Sequence, residues 1–352
     1  MNFDQFIRSL EKDSRVAILH DTDPDGVCSA VIVAKAVEKI TGNKIKLRVH
    51  QDDRTGDIFD ETIKKLKENK INRLIITDKP IDYRPEGVLI VEKFAKVLII
   101  DHHKKYTDIN NENICLLKEG SYYPSSKIAF DYFSRYVNLE ALDWLAAAGL
   151  ITDYAFKYWG EFLDKVFKRY NIKKTKDIFT NELGEIGSII KYAEVYNLDN
   201  VQEIFDIIYN AKNPRDVHKS NLKKYYDKVK IEVDKAVKEF NKKKEIHGDL
   251  DWYEVKSKYP LTSVISSIIS AKNQSRTLVV TQNFNGRYNV SARRQDQKIA
   301  VNDILSEAVV GFENASGGGH KTSAGSVFNT NDYVEFKKRV LNDYKKIKAG
   351  KY

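Results

Sequence analysis

The sequence predicts a two-domain α/β protein: a parallel-sheet domain over residues 1–214, a connecting helix over 215–246, and a smaller α/β domain over 247–352. Three observations carry that prediction. Apolar runs ending at Leu19, Ile76 and Ile100 each deliver an Asp at their carboxyl end, with helical periodicity between them, the pattern of a sheet covered on both faces. Residues 215–246 contain neither Pro nor Gly, and Leu222, Tyr226, Val229, Val233, Ala236 and Phe240 recur by threes and fours. After His247-Gly-Asp the composition changes, and a glycine cluster appears at 317–319.

At 352 residues, 42% hydrophobic and 31% charged, the chain has the make-up of a globular protein with a real core. No apolar run approaches the ~20 residues that span a bilayer. The start, Met1-Asn-Phe-Asp-Gln-Phe, lacks the basic and apolar segments of a secretory signal, so a cytoplasmic protein with no membrane partner is expected. Cys28 and Cys115 read as buried reduced thiols. A net charge of +9 permits a polyanionic partner without requiring one.

In chain order, a short helix from Phe3 to Lys12 precedes a strand from Arg15 to Leu19. That strand enters His20-Asp-Thr-Asp-Pro-Asp-Gly26. Three carboxylates so close are costly unless cations neutralise them, and Pro24 and Gly26 are expected to bend the backbone so that they converge. A helix follows from Val27 to Ile40, then a strand from Ile45 to Val49 and a loop whose acids, Asp52, Asp53 and Asp57, read as solvated. A helix over 59–69 leads to the strand Asn72–Thr77, which ends at Asp78. Val97 to Ile100 ends at Asp101-His102-His103. Right-handed crossovers place these strand ends on one edge. Further on, Asn113–Leu117 reads as a strand, Ser125–Tyr136 as a helix, and the small residues of the helix ending at Asp153 as letting it lie close to the sheet.

Carboxylates and imidazoles without thiolates suit Mn2+ or Mg2+, and the acids are numerous enough for two ions. Two such ions are the standard device for displacement at phosphorus. Neither a Gly-x-x-x-x-Gly-Lys-Ser/Thr loop nor a Gly-x-Gly-x-x-Gly turn is present, which argues against an NTPase or a dinucleotide enzyme. In the second domain, Thr262–Ala271 reads as a helix, and Thr277–Thr281 and Tyr288–Arg294 as strands around an Asn285-Gly286 turn. A helix over 300–310 precedes Ser316-Gly-Gly-Gly-His-Lys-Thr-Ser-Ala-Gly325, read as a backbone cradle for phosphate. A strand over 326–328 and a basic helix, Tyr333–Lys348, close the chain.

Asp-x-Asp-x-Asp-Gly at 21–26, Asp78, Asp101-His102-His103 and Asp153, in this order, resemble the four motifs of the DHH phosphoesterase family, and within it the short archaeal RecJ-type exonucleases. The resemblance implies that Asp23, Asp25, Asp78, His102 and Asp153 bind two Mn2+ or Mg2+ ions, with Asp21 where members carry His or Asp. His20 directly precedes Asp21, and which of the two takes that outer position is left open. It implies that Asp101 orients its neighbour and that His103 faces metal-bound water or the scissile phosphate. Gly317, Gly318, Gly319 and His320 resemble the Gly-Gly-Gly-His motif of the family's C-terminal domain, which implies nucleotide binding with Ser291 and Arg293. Arg294 stands as their neighbour.

The implied activity is end-directed hydrolysis of single-stranded DNA or RNA in a cleft between the two domains, with replication or repair proteins as partners. The alternatives are a nanoRNase or phosphoadenosine phosphatase acting on short substrates, and a replication scaffold of the same fold.

Overall fold

The computed structural model describes residues 1–51 and 56–348, apart from the side chain of Leu198. Asp52 and Asp53 therefore lie outside the described residues. The chain divides into two compact units, Met1–Tyr226 and Asp227–Tyr352. Among the described residues no helix is long and apolar enough to cross a membrane.

The first unit is built on a five-stranded sheet of β1 (Val16–His20), β2 (Leu47–His50), β3 (Arg73–Thr77), β4 (Lys96–Asp101) and β5 (Ile114–Lys118). The strands run in the order β2-β1-β3-β4-β5, and every pairing is parallel. Period-2 alternation divides their side chains between two cores. Ile18, Ile75, Leu98 and Ile100 face one core with the helices Pro24–Thr41 and Asp143–Thr152. Ala17, Leu19, Leu74, Ile76, Val97 and Ile99 face the other with Asp60–Glu68 and Glu86–Val91. Burial on both faces explains why the strands read as unbroken apolar runs, and each buried aliphatic side chain contributes roughly 1.5–3 kcal/mol. The order reverses at β1, so the crevice between the carboxyl ends of β1 and β3 is the place where this architecture leaves room for a ligand. Both cysteines are buried and free.

The second unit holds a six-stranded mixed sheet of β6 (Glu245–His247), β7 (Leu250–Glu254), β8 (Thr277–Phe284), β9 (Arg287–Arg293), β10 (Ser316–His320) and β11 (Ser323–Asn329). Its order is β10-β11-β9-β8-β7-β6, antiparallel except for β7 with β8. Asn285 and Gly286, both at positive φ, make the expected tight turn between β8 and β9.

Three expectations are corrected. The helix after the acidic loop starts at Pro24, with Asp23 as its N-cap, so Pro24 and Gly26 form a first helical turn and not a bent loop. The 215–246 segment is interrupted. Pro214–His218 is a separate short helix, the amides of Leu222 and Lys223 bond to Ser220, and the long helix runs only over Asn221–Lys243. Asp57 is half-buried, and its carboxylate accepts the amides of Ile58 and Gly87, so it braces backbone. Gly317–Gly319, for which no element was expected, lie within an edge strand.

Candidate metal centre

The acids after β1 are positioned by local capping. Asp23 accepts the Gly26 amide at 2.9 Å, as an N-cap should, and Asp25 sits in the first helical turn. Thr22, between Asp21 and Asp23, is anchored by a 3.0 Å bond to the buried Glu194. A Cβ on Gly26 would stand 2.6 Å from the Asp21 carbonyl, so only glycine lets the helix start this close to the strand end.

Asp25 is fully buried and accepts the amides of Ser125 and Ser126 at 2.7 and 3.1 Å, the first turn of the helix Ser125–Phe133. Gly149 completes this packing. A side chain there would fall 2.2 Å from Ser126 Oγ and 2.3 Å from Asp25 Oδ1. The small-residue helix thus makes its close approach at Gly149 to Asp25 and Ser126 on two other helices, and not to the sheet as expected. Asp78 follows β3 in left-handed backbone (φ 61°), 2% exposed, and accepts Ser125 Oγ at 3.0 Å.

His102 lies between two of these acids, with Nε2 2.9 Å from Asp153 and 3.3 Å from Asp78. Its Nδ1 is buried with no hydrogen-bond partner among the described residues. Asp153 caps the helix Asp143–Thr152 at its carboxyl end, where the dipole disfavours an acid. Donor atoms fall into three overlapping groups, each within 4.8 Å: Asp21, Asp23 and Asp78; Asp25, His102 and Asp153; Asp78, His102 and His103. Every residue expected to hold metal is therefore in one assembly. Asp21 joins it and His20 does not: the His20 ring, buried beside Phe205, bonds through Nδ1 to the Asp21 carbonyl. Burial pushes the His20 pKa down to about 4.

The electrostatics are those of a cation site. Burial and the charge of Asp153 push the Asp25 carboxyl upward, and burial with Asp23 and Asp25 does the same to Asp78. Burial works against the charged form of His102, but its bonds to Asp153 and Asp78 raise it well above the ordinary imidazole value. The donor set, with His102 Nε2 among its carboxylates, and its mutual repulsion fit divalent cations with oxygen and nitrogen ligands.

Asp101 stands behind this assembly, fully buried. It accepts His103 Nδ1 at 2.7 Å and pairs with Lys118 at 2.8 Å. Burial opposes ionisation, but the His103 bond and the His103 and Lys118 charges hold Asp101 below the usual carboxylate range. Lys118 also pairs with the buried Asp82 at 2.5 Å. Sequence reading missed Lys118, Asp82, Ser125, Ser126 and Glu194. Lys118 had a signal, since it ends an apolar run as the acids do, and the register sets it opposite Asp101.

In the second unit, cross-strand rows fix what shares a face. Gly318, Gly325 and Ser291 form one row, and His320, Ser323 and Arg293 the next on the same side. Ser266, on the helix Thr262–Lys272, bonds Ser291 Oγ at 2.8 Å and Arg293 Nε at 3.1 Å. Ser291, Arg293, Gly318 and His320 are thus brought together, whereas Gly317 and Gly319 alternate to the other face. A Cβ on Gly317 would meet the Leu305 carbonyl at 2.6 Å, so its bareness serves packing of the helix Val301–Ala308. Arg294 is buried and bonded to Asp249 and Asp296, a structural role.

Two family profiles match the chain. One, described as the DHH family N-terminal domain, covers residues 15–152, and the DHHA1 domain covers 258–346. No curated protein sequence matches. Among solved structures, the chain is similar to a DHH domain from a member of a family of ribosomal proteins, at 15% identity and TM-score 0.71, over 97% of this chain and 88% of that one. It is similar to exonuclease RecJ bound to manganese, at 14% identity and TM-score 0.70, over 96% of this chain and 92% of that one. It is also similar to CDC45 from Entamoeba histolytica, at 12% identity and TM-score 0.61, over 97% and 99%. Identities this low establish the shared fold and nothing about substrate.

Proposed function

We propose, from the premise that this chain belongs to the DHH family of phosphoester-hydrolysing enzymes, that it is a metal-dependent exonuclease acting on single-stranded DNA or RNA from an end. The observation that carries the reading is the merging of three donor groups through shared Asp78 and His102, an arrangement suited to two adjacent cations. Asp21, Asp23, Asp25, Asp78, His102 and Asp153 would hold them. Two Mn2+ or Mg2+ ions would supply charge neutralisation at phosphorus and activation of water. That similar RecJ is bound to manganese supports the choice of ion.

The chain's own groups then have separate tasks. Ser125 and Ser126 fix Asp25, and Ser125 also fixes Asp78, so neither carboxylate needs to reorganise when substrate binds. Asp101 takes Nδ1 of His103, so Nε2 would be the nitrogen that faces metal-bound water or the scissile phosphate. In the second unit, Arg293 with Ser291, His320 and the bare Gly318 beside them would grip a nucleotide phosphate.

Degradation of 5′- and 3′-labelled DNA, RNA and dinucleotides with Mn2+ tests this reading. Mononucleotides should be released from one end of the longer strands, and rates should fall steeply as salt rises. Cleavage of dinucleotides alone would move the protein to the short-substrate class. No cleavage of any substrate, with Asp78→Ala indistinguishable from wild type, would leave a scaffold.

A further inference from the structure

Two loops leave the sheet edge beside the metal centre, and each presents one exposed tyrosine. Tyr83 lies five residues after Asp78 and is 50% exposed; Tyr106 lies three residues after His103 and is 44% exposed. Their rings meet at 4.7 Å between centroids, tilted by 53°. Arg84 lies over the Tyr83 ring at 5.9 Å and Lys104 over Tyr106 at 5.6 Å. Arg84, Lys104 and Lys105 are all exposed.

This pair is tied to the centre by buried charge. The Tyr106 amide donates to Asp82 Oδ2 at 2.7 Å, Asp82 Oδ1 meets Lys118, and Lys118 meets Asp101, which holds His103. An aromatic pair left in water costs the fold apolar exposure. Here that exposure is linked to His103 by the buried charge chain and flanked by Arg84 and Lys104, while Lys105 beside them pairs with Asp108 at 3.4 Å.

We infer that Tyr83 and Tyr106 form a stacking platform for an unpaired nucleobase, with Arg84, Lys104 and Lys105 meeting the flanking phosphates of a single strand. Stacking on aromatic faces tolerates any base but requires that the base be unpaired, and cations beside the rings suit a polyanion better than an apolar peptide. The inference rests on the proposed action on single strands and adds where the strand lies on the first unit.

Full-length wild type, Y83A/Y106A and Y83F/Y106F are compared on a single-stranded oligonucleotide and on the same strand with abasic sugars. The alanine pair should raise KM on the base-bearing strand about 10- to 100-fold. Its kcat should stay within about 2-fold of wild type. The phenylalanine pair should restore KM, and the three proteins should cut the abasic strand alike. An unchanged KM in Y83A/Y106A, or an equal loss on the abasic strand, would overturn the platform. Quenching of 2-aminopurine placed along the strand reads stacking without cleavage. Quenching by wild type and not by Y83A/Y106A, with neither protein cutting, would keep the platform and remove the nuclease reading. No quenching by a wild type that cuts would do the reverse.

Discussion

The two sheets gather functional side chains in opposite ways. In the first unit, parallel strands bury both faces, so ionisable groups can emerge only where strands end, and Asp21, Asp78 and Asp101-His102-His103 crowd one edge. In the second, a mixed sheet offers a face, and Ser291, Arg293, Gly318 and His320 lie in neighbouring rows of it. The electrostatics differ as well. Asp25 and Asp78 repel other acids of their own assembly, whereas Arg294 in the second unit is satisfied by Asp249 and Asp296. Mutually repelling carboxylates at an edge call for cations to neutralise them. Paired or hydroxyl-supported groups on a face do not.

The sharpest way to break this contrast is to remove one residue from each side. Asp78→Ala should cost more than the ~10–100-fold typical of an outer-shell change around a metal, and it should act on kcat. Arg293→Ala should instead raise KM for oligonucleotides by about 10-fold or more, as loss of a charge-assisted phosphate contact would, with kcat little changed. Steady-state kinetics in Mn2+ separates the two. If both variants lose kcat alone, the division of labour fails.

Lys118→Met probes the support behind the edge. It leaves Asp82 and Asp101 buried without their cation, so stability should fall by about 3–5 kcal/mol in urea unfolding. Activity should fall by about 10–100-fold through misplacement of His103. Lys118→Arg should recover part of both losses. An unchanged kcat in a stable Lys118→Met protein would show that Asp101 holds His103 unaided.

The smallest effect concerns pH. His20 is buried neutral, its pKa lowered from 6.5 to about 4 by burial and nearby cationic groups. The unfolded chain binds this proton first, so the stability it contributes is present above pH 6.5 and is lost as pH falls toward 4. Unfolding free energy should drop by about 2 kcal/mol between pH 7 and pH 5. His20→Gln should flatten that slope, and an equal slope in the variant would place the titration elsewhere.

Much of the edge was legible because its signals are local. An apolar run that stops at an acid announces a strand end, and three of them announce a rim. What stayed hidden depended on neighbours distant in sequence. Lys118 acquires meaning only through its register with Asp101, and Ser125 and Ser126 only because a second helix N-terminus meets Asp25. The glycine run carried no strand signal because glycine disfavours strands, yet Gly317 lies in one where a helix backbone comes too close for any side chain. The break at Ser220 lay where the three-and-four spacing starts at Leu222, five residues after the buried Val217, and the absence of Pro and Gly hid it.

Calorimetric titration of Mn2+ into wild type, Asp78→Ala and Arg293→Ala tests the central contrast most directly. Wild type and Arg293→Ala should each take up two ions per chain, and Asp78→Ala should lose at least one of them. Binding by Asp78→Ala indistinguishable from wild type, or no binding by wild type, would contradict the assignment of the first unit's strand edge as the metal centre.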